Sequence, residues 1–153
     1  FVLVGDGSYL MLNSEIATAA ASGHKLIIVV LDNHGFGCIS RLQQGCGGRA
    51  YNNILVGPDG AAPPVIDFEA HARALGAHAE KVDDVAGLDA AIATARGQHG
   101  PSVIVIETDP VNATAEGGAW WEVAVAEVSE RESVRAARAA YEENKRKQRV
   151  GVV

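Results

Sequence analysis

At 153 residues, with 48% hydrophobic and 21% charged side chains, the chain has enough apolar mass for one core and too little length for two ordinary domains. Its formal charge of -6 argues against the basic face of a nucleic-acid-binding protein, while leaving room for a phosphorylated ligand whose charge a metal neutralises locally. No apolar run approaches the roughly 20 residues of a membrane helix and no signal-peptide pattern opens the chain, which predicts a cytoplasmic protein with no membrane partner. Cys38 and Cys46 lack the spacing of a zinc or redox motif and suit a reducing compartment. The first residue already lies in an apolar run and the sole methionine is Met11, the pattern of a piece of a longer chain.

Phe1 to Val4 is a short continuous apolar run, which predicts a strand covered on both faces, as in a parallel sheet. Gly5, Asp6 and Gly7 break it. Asn13 and Ser14 are capping types, Glu15 suits the positive end of a helix, and Ile16, Ala19 and Ala20 form one apolar face before Gly23. Leu26 to Leu31 is a second apolar run, so the opening segment reads as a βαβ unit with a parallel, right-handed crossover. From Asp32 to Pro64 glycine is frequent, Asn52 and Asn53 are adjacent, and Pro58, Pro63 and Pro64 punctuate the end, which predicts a long irregular segment with a functional role.

Asp67 reads as the cap of a helix bearing Phe68, Ala72 and Leu75, and Ala77 to Val82 as a weaker strand. Asp83 or Asp84 caps the next helix, with a stripe of Val85, Leu88, Ile92 and Ala95 that Gly97 ends, and Ser102 to Ile106 is the last clear strand. After Pro110 come the turn-rich Glu116 to Ala119 and the pair Trp120-Trp121, read as an anchor for a C-terminal arm. Ser129 and Glu132 have capping-box spacing ahead of a helix of about 18 residues, with Val134, Ala137 and Tyr141 as its apolar stripe. Lys145, Arg146, Lys147 and Arg149 complement the negative end of that helix. The expected architecture is α/β, a three-layer α/β/α arrangement on a mainly parallel sheet, with residues 1–110 forming the sheet domain and 111–153 an arm and helix.

The chemistry concentrates where the first two strands end. Gly7 lets the backbone approach a ligand closely, and the peptide N–H groups of Gly7, Ser8 and Tyr9 could face a phosphate. Magnesium requires near-octahedral oxygen ligands at about 2.0 to 2.1 Å and is commonly shared between a few protein groups and substrate phosphates. Asp6 offers an anionic oxygen, Asn33 an amide oxygen at the end of the next strand, and Gly35 a backbone carbonyl. This position, outside the carboxyl ends of the strands, is where open α/β sheets bind ligands. Gly-Asp-Gly by itself is also what any tight turn uses; the succession of apolar strand, GDG, helix, apolar strand and Asn points to a cofactor site. His34, Cys38, Arg41, Gln43 and Gln44 follow as candidates for the substrate side or for a polar loop closing over it, while His24, His71, His78 and His99 read as surface or structural.

GDG followed after about two dozen residues by an Asn pair resembles the thiamine-diphosphate enzymes, and GDGSYLMLNSEIATAA with LDNHGFG is similar to their acetolactate-synthase-like superfamily. Within it, NHGFGCISRLQQGCGG and GGAWWEVAVAEVSERESVRAARAAYEENKRKQR resemble the branch that hydrolyses a cyclic 1,2-dione, trihydroxycyclohexane-1,2-dione, to 5-deoxyglucuronate in myo-inositol catabolism. The resemblance implies the C-terminal part of the thiamine-diphosphate-binding fold, with thiamine diphosphate and Mg2+ as cofactors. It implies metal ligation by Asp6, Asn33 and the Gly35 carbonyl, within a cofactor-binding set of Gly5, Asp6, Gly7, Ser8, Tyr9, Asn33, Gly35, Phe36 and Gly37. It also implies a homodimer or homotetramer acting on a small-molecule cyclic dione. The resemblance further implies that the activating glutamate belongs to another domain, so that no catalytic residue is expected in this chain. An acetolactate-type carboligase or decarboxylase and a non-catalytic module of the same fold are the alternatives. The broad pattern has Asn where this chain has Asp32.

Overall fold

In the computed structural model, residues 1–55, 61–62, 65–110, 112 and 123–147 are described. The chain divides into two compact units, Phe1–Gly37 with Ile54–Val111, and Cys38–Asn53 with Asn112–Val153.

The first unit is a four-stranded sheet. The strands are β1 (Val2–Gly5), β2 (Ile27–Asp32), β3 (His78–Val82) and β4 (Ser102–Glu107), arranged in the order β1-β2-β4-β3. Every pairing is parallel, with Gly5 opposite Leu31 and Asp32 opposite Glu107. Helices α1 (Asp6–Met11), α2 (Glu15–Ala21) and α4 (Phe68–Ala74) cover one face, and α5 (Val85–Gly97) covers the other. Alternation along the central strands feeds two cores. Ile28, Val30, Val103 and Val105 meet Tyr9, Ile16, Phe68 and Ala72, whereas Ile27, Val29 and Ile104 meet Ala91 and Ala95. Val30, Val103 and Ile104 are wholly buried, each contributing about 1.5 to 3 kcal/mol. This is the expected three-layer α/β/α arrangement.

The capping expectations hold for two helices. Asp67 Oδ1 accepts from the Ala70 N–H at 2.8 Å, and Asp84, not Asp83, caps α5 by accepting from the Gly87 N–H at 2.7 Å. Other expectations are revised. β1 is an edge strand, and Phe1 and Leu3 are each 68% exposed, so the apolar run is not covered on both faces. Val85 stands out in solvent at the first turn of α5, and Ala91 takes its place in the buried stripe. The turn after Gly5 is already helical, because α1 begins at Asp6.

In the second unit, α3 (Gly37–Gly45) occupies part of the segment expected to be irregular, and α6 (Glu132–Lys147) is the C-terminal helix, 16 residues long. Gln43 accepts from Asn53 Nδ2 and donates to the Arg49 carbonyl, and Gln44 donates to Ser40. Ser133 Oγ donates to the Gly47 carbonyl at 2.6 Å, joining α6 to the turn after α3. Ser129 Oγ accepts from the Arg131 N–H rather than from Glu132, so the capping box is not formed. Glu116 to Ala119, Trp120, Trp121 and Arg149 lie outside the described residues. Among the described residues no helix is long and apolar enough to cross a membrane.

Candidate functional site

Three neighbouring strands of the first unit end in acids: Asp6 just after β1, Asp32 on β2 and Glu107 on β4. The parallel sheet therefore delivers three carboxylates to one edge. Asp6 is fully buried. Its Oδ1 accepts from the Asn33 N–H at 3.3 Å, and its Oδ2 has no hydrogen-bond partner among the described residues. An unpaired, buried carboxylate oxygen is costly unless a cation compensates it. Burial pushes the Asp6 carboxyl above its usual range, the Asn33 N–H opposes this, and the nearby Asp32 carboxylate adds to the rise.

Asn33 completes an oxygen-rich corner. Its side-chain amide faces Asp6 Oδ1 at 3.2 Å and the Gly35 carbonyl oxygen at 3.0 Å. With no cation present, turning the amide so that its NH2 donates to both oxygens is the relaxed form. With a small divalent ion between them, the oxygen orientation is required instead. Adjacent oxygens of an octahedral magnesium site with bonds of about 2.0 to 2.1 Å lie about 3 Å apart, so these two separations suit such an ion.

Two glycines make the corner possible. A Cβ on Gly7 would meet the Phe36 ring at 2.7 Å, and one on Gly37 would meet both the Oδ1 and Nδ2 of Asn33 at 2.9 Å. Between them the backbone turns through positive φ at His34 (61°) and Gly35 (146°). His34 is a non-glycine residue in the left-handed region, an uncommon conformation that the surroundings must hold in place.

The other expected residues distribute as follows. Gly5 ends β1, and Gly7, Ser8 and Tyr9 fall within α1. The Tyr9 side chain belongs to the core: its hydroxyl pairs with His71 Nδ1 at 2.9 Å and its ring meets Phe68 edge-on, so only its backbone is available to a ligand. His71 is thus structural, and His78 pairs with Glu80. His34 lines a small cavity of about 80 Å³ together with Asp6, Asp32, Lys81, Glu107 and Phe68. Cys38, Arg41, Gln43 and Gln44 lie in the second unit, and both cysteines are free thiols. Sequence reasoning missed Glu107 and Lys81. The signal was an apolar run that ends in an acid, SVIVIE, as IIVVLD does.

Comparison with known proteins shows the family of the chain. A family model described as the thiamine pyrophosphate enzyme, C-terminal TPP binding domain, matches residues 1–106. The chain belongs to this family. Its relatives include proteins named 3D-(3,5/4)-trihydroxycyclohexane-1,2-dione hydrolase. That of Geobacillus thermodenitrificans is 36% identical over 94% of this chain, and that of Bacillus licheniformis is 39% identical over 93%. The chain spans about a quarter of the length of these relatives, 24% and 22% respectively. Among solved structures, the benzoylformate decarboxylase of Polynucleobacter necessarius superposes with a TM-score of 0.56 at 29% identity, over 71% of this chain and 19% of that one. As a thiamine-pyrophosphate-binding domain, the chain has its GDG turn and its Asn33 loop at the carboxyl edge of a parallel sheet, as ligand sites in open α/β folds require.

Proposed function

We propose that this chain is the thiamine-diphosphate- and Mg2+-binding part of a cytoplasmic enzyme that hydrolyses trihydroxycyclohexane-1,2-dione, a cyclic 1,2-dione, to 5-deoxyglucuronate in inositol catabolism. The observation that carries it is the Asp6, Asn33 and Gly35 corner, where the buried Asp6 carboxylate has one oxygen, Oδ2, without a hydrogen-bond partner among the described residues and the Asn33 side-chain amide lies 3.2 Å from Asp6 Oδ1 and 3.0 Å from the Gly35 carbonyl oxygen. In this reading Asp6 Oδ2, Asn33 Oδ1 and the Gly35 carbonyl hold the metal. Gly5, Gly7, Ser8 and Tyr9 offer backbone to the diphosphate, and Phe36 and Gly37 shape the loop above it. Thiamine diphosphate, when bound, supplies the nucleophilic carbon and the electron sink for breaking a C–C bond. The chain's own residues anchor and orient it, and Phe36, lying over Gly7, limits the approach of water to that turn.

The activating glutamate and most of the dione pocket belong to the remainder of the enzyme, assembled as a homodimer or homotetramer. The likeness to a decarboxylase structure supports a second reading, decarboxylation or acetolactate-type carboligation on the same cofactor site. Titration of the full-length protein with thiamine diphosphate at saturating Mg2+, followed calorimetrically, tests the metal corner. Asp6→Ala and the milder Asp6→Asn are expected to weaken binding at least about 100-fold, and binding that survives both changes rules the corner out. Assays of the full-length protein with the cyclic dione, pyruvate and benzoylformate separate the two reactions.

A further inference from the structure

We propose that His34 is a positioning residue whose ring, held between the Asp32 and Glu107 carboxylates, fixes the left-handed turn that presents Asn33 and Gly35 to Asp6. The inference rests on the reading of Asp6, Asn33 and Gly35 as the metal oxygens. His34 sits between the two loop ligands and has φ of 61°, a conformation that a side chain disfavours unless something else secures it. Its Nδ1 lies 3.4 Å from Asp32 Oδ1 and its Nε2 3.6 Å from Glu107 Oε1, so a carboxylate stands within ion-pair distance of each ring nitrogen and receives the N–H from whichever nitrogen carries it. The backbone is held too: the His34 N–H donates to Asp32 Oδ1 at 3.1 Å, and its carbonyl accepts from the Leu55 N–H at 2.7 Å.

The two carboxylates stand on rigid supports. Asp32 and Glu107 are register partners on β2 and β4, and the Thr108 N–H donates to the Asp32 carbonyl at 2.8 Å. Lys81 Nζ lies 3.6 Å from Glu107 Oε2, opposite the oxygen that faces the imidazole. The result is a side-chain strut from the strand ends to the middle of the ligand loop. A direct consequence is that Glu107, which offers no oxygen to the Asp6 corner, affects metal affinity through His34. The rival for this cluster is a second cation site, since Asp32, His34 and Glu107 each place a donor atom within 4.8 Å of the others. The facing pattern favours the strut: the carboxylates address opposite nitrogens of one ring rather than a common point.

The test measures Mn2+ affinity and stoichiometry by electron paramagnetic resonance in the full-length protein at saturating thiamine diphosphate. His34→Ala and Glu107→Gln are each expected to weaken Mn2+ about 10-fold, the lower end of what outer-shell partners of metal ligands contribute, while one equivalent still binds. The double variant should be no weaker than either single one, because both changes break one strut. His34→Asn tolerates the left-handed backbone yet cannot bridge the carboxylates, so it should weaken Mn2+ as His34→Ala does. Wild-type affinity in His34→Asn, or a lower cofactor-free melting temperature with unchanged Mn2+ affinity, overturns the proposal. So does a second equivalent of Mn2+ that Glu107→Gln removes, which makes the cluster a metal site itself. Asp6→Ala, run alongside, separates the two levels. Undiminished Mn2+ binding in that variant removes the metal corner, whereas its loss together with wild-type behaviour of the His34 variants removes only the strut.

Discussion

Asp6 is the residue at which the conflict between stability and binding is sharpest. Its carboxyl is fully buried, one of its oxygens is unpaired, and its affinity for a proton is raised chiefly by burial. A carboxyl raised above its unfolded value favours folding below the unfolded pKa, and that contribution is lost as pH rises through the folded value. The cofactor-free protein therefore carries an unfavourable charge at neutral pH. Asp6→Asn is expected to melt higher than wild type at pH 7 without cofactor, with the gap closing as the pH falls into the carboxylate range. The same variant should gain no melting temperature from Mg2+ and thiamine diphosphate, and thermal scans across pH with and without cofactor check both halves. Asp6, Asn33 and Gly35, the proposed metal corner, could be singled out in the sequence because they lie in two short motifs, and the fold brings them together. Glu107 could not be, because its relation to His34 exists only once β2 and β4 are in register, and no local pattern spans the 74 residues between Asp32 and Glu107.

At the scale of elements, the central strands β2 and β4 were readable because burial on both faces leaves uninterrupted apolar runs. The same pattern misled at β1, which has an equally apolar sequence and lies at the sheet's edge. Helices α4 and α5 announced themselves through Asp67 and Asp84, whose side chains close the first turn. Asp84→Ala is expected to cost about 1 kcal/mol, read as a lowered urea midpoint with unchanged slope. Helices α1 and α3 were hidden for different reasons. The six residues of α1 begin inside a turn motif, and α3 opens and closes on glycine within a glycine-rich stretch that reads as loop.

On the scale of the whole molecule, the proposed function makes the chain an anchor for a cofactor whose reactive end requires the remainder of the enzyme. The purified chain alone is therefore expected to bind thiamine diphosphate far more weakly than the full-length protein and to show no turnover of the cyclic dione; measurable turnover by the chain alone contradicts this. Phe1, Leu3, Met11 and Leu12, on β1, α1 and the residues flanking them, are all exposed. The all-parallel pairing has a practical consequence as well. Because every strand runs the same way, the connections split into two groups at opposite edges of the sheet, and the acids at the strand ends leave the other edge without chemistry. The α5-to-β4 link lies at that quiet edge, with open space around both Gly97 and Gly100. A spectroscopic label or an epitope placed there reports on the protein from the side opposite its cofactor, which makes that link the natural place to attach a probe.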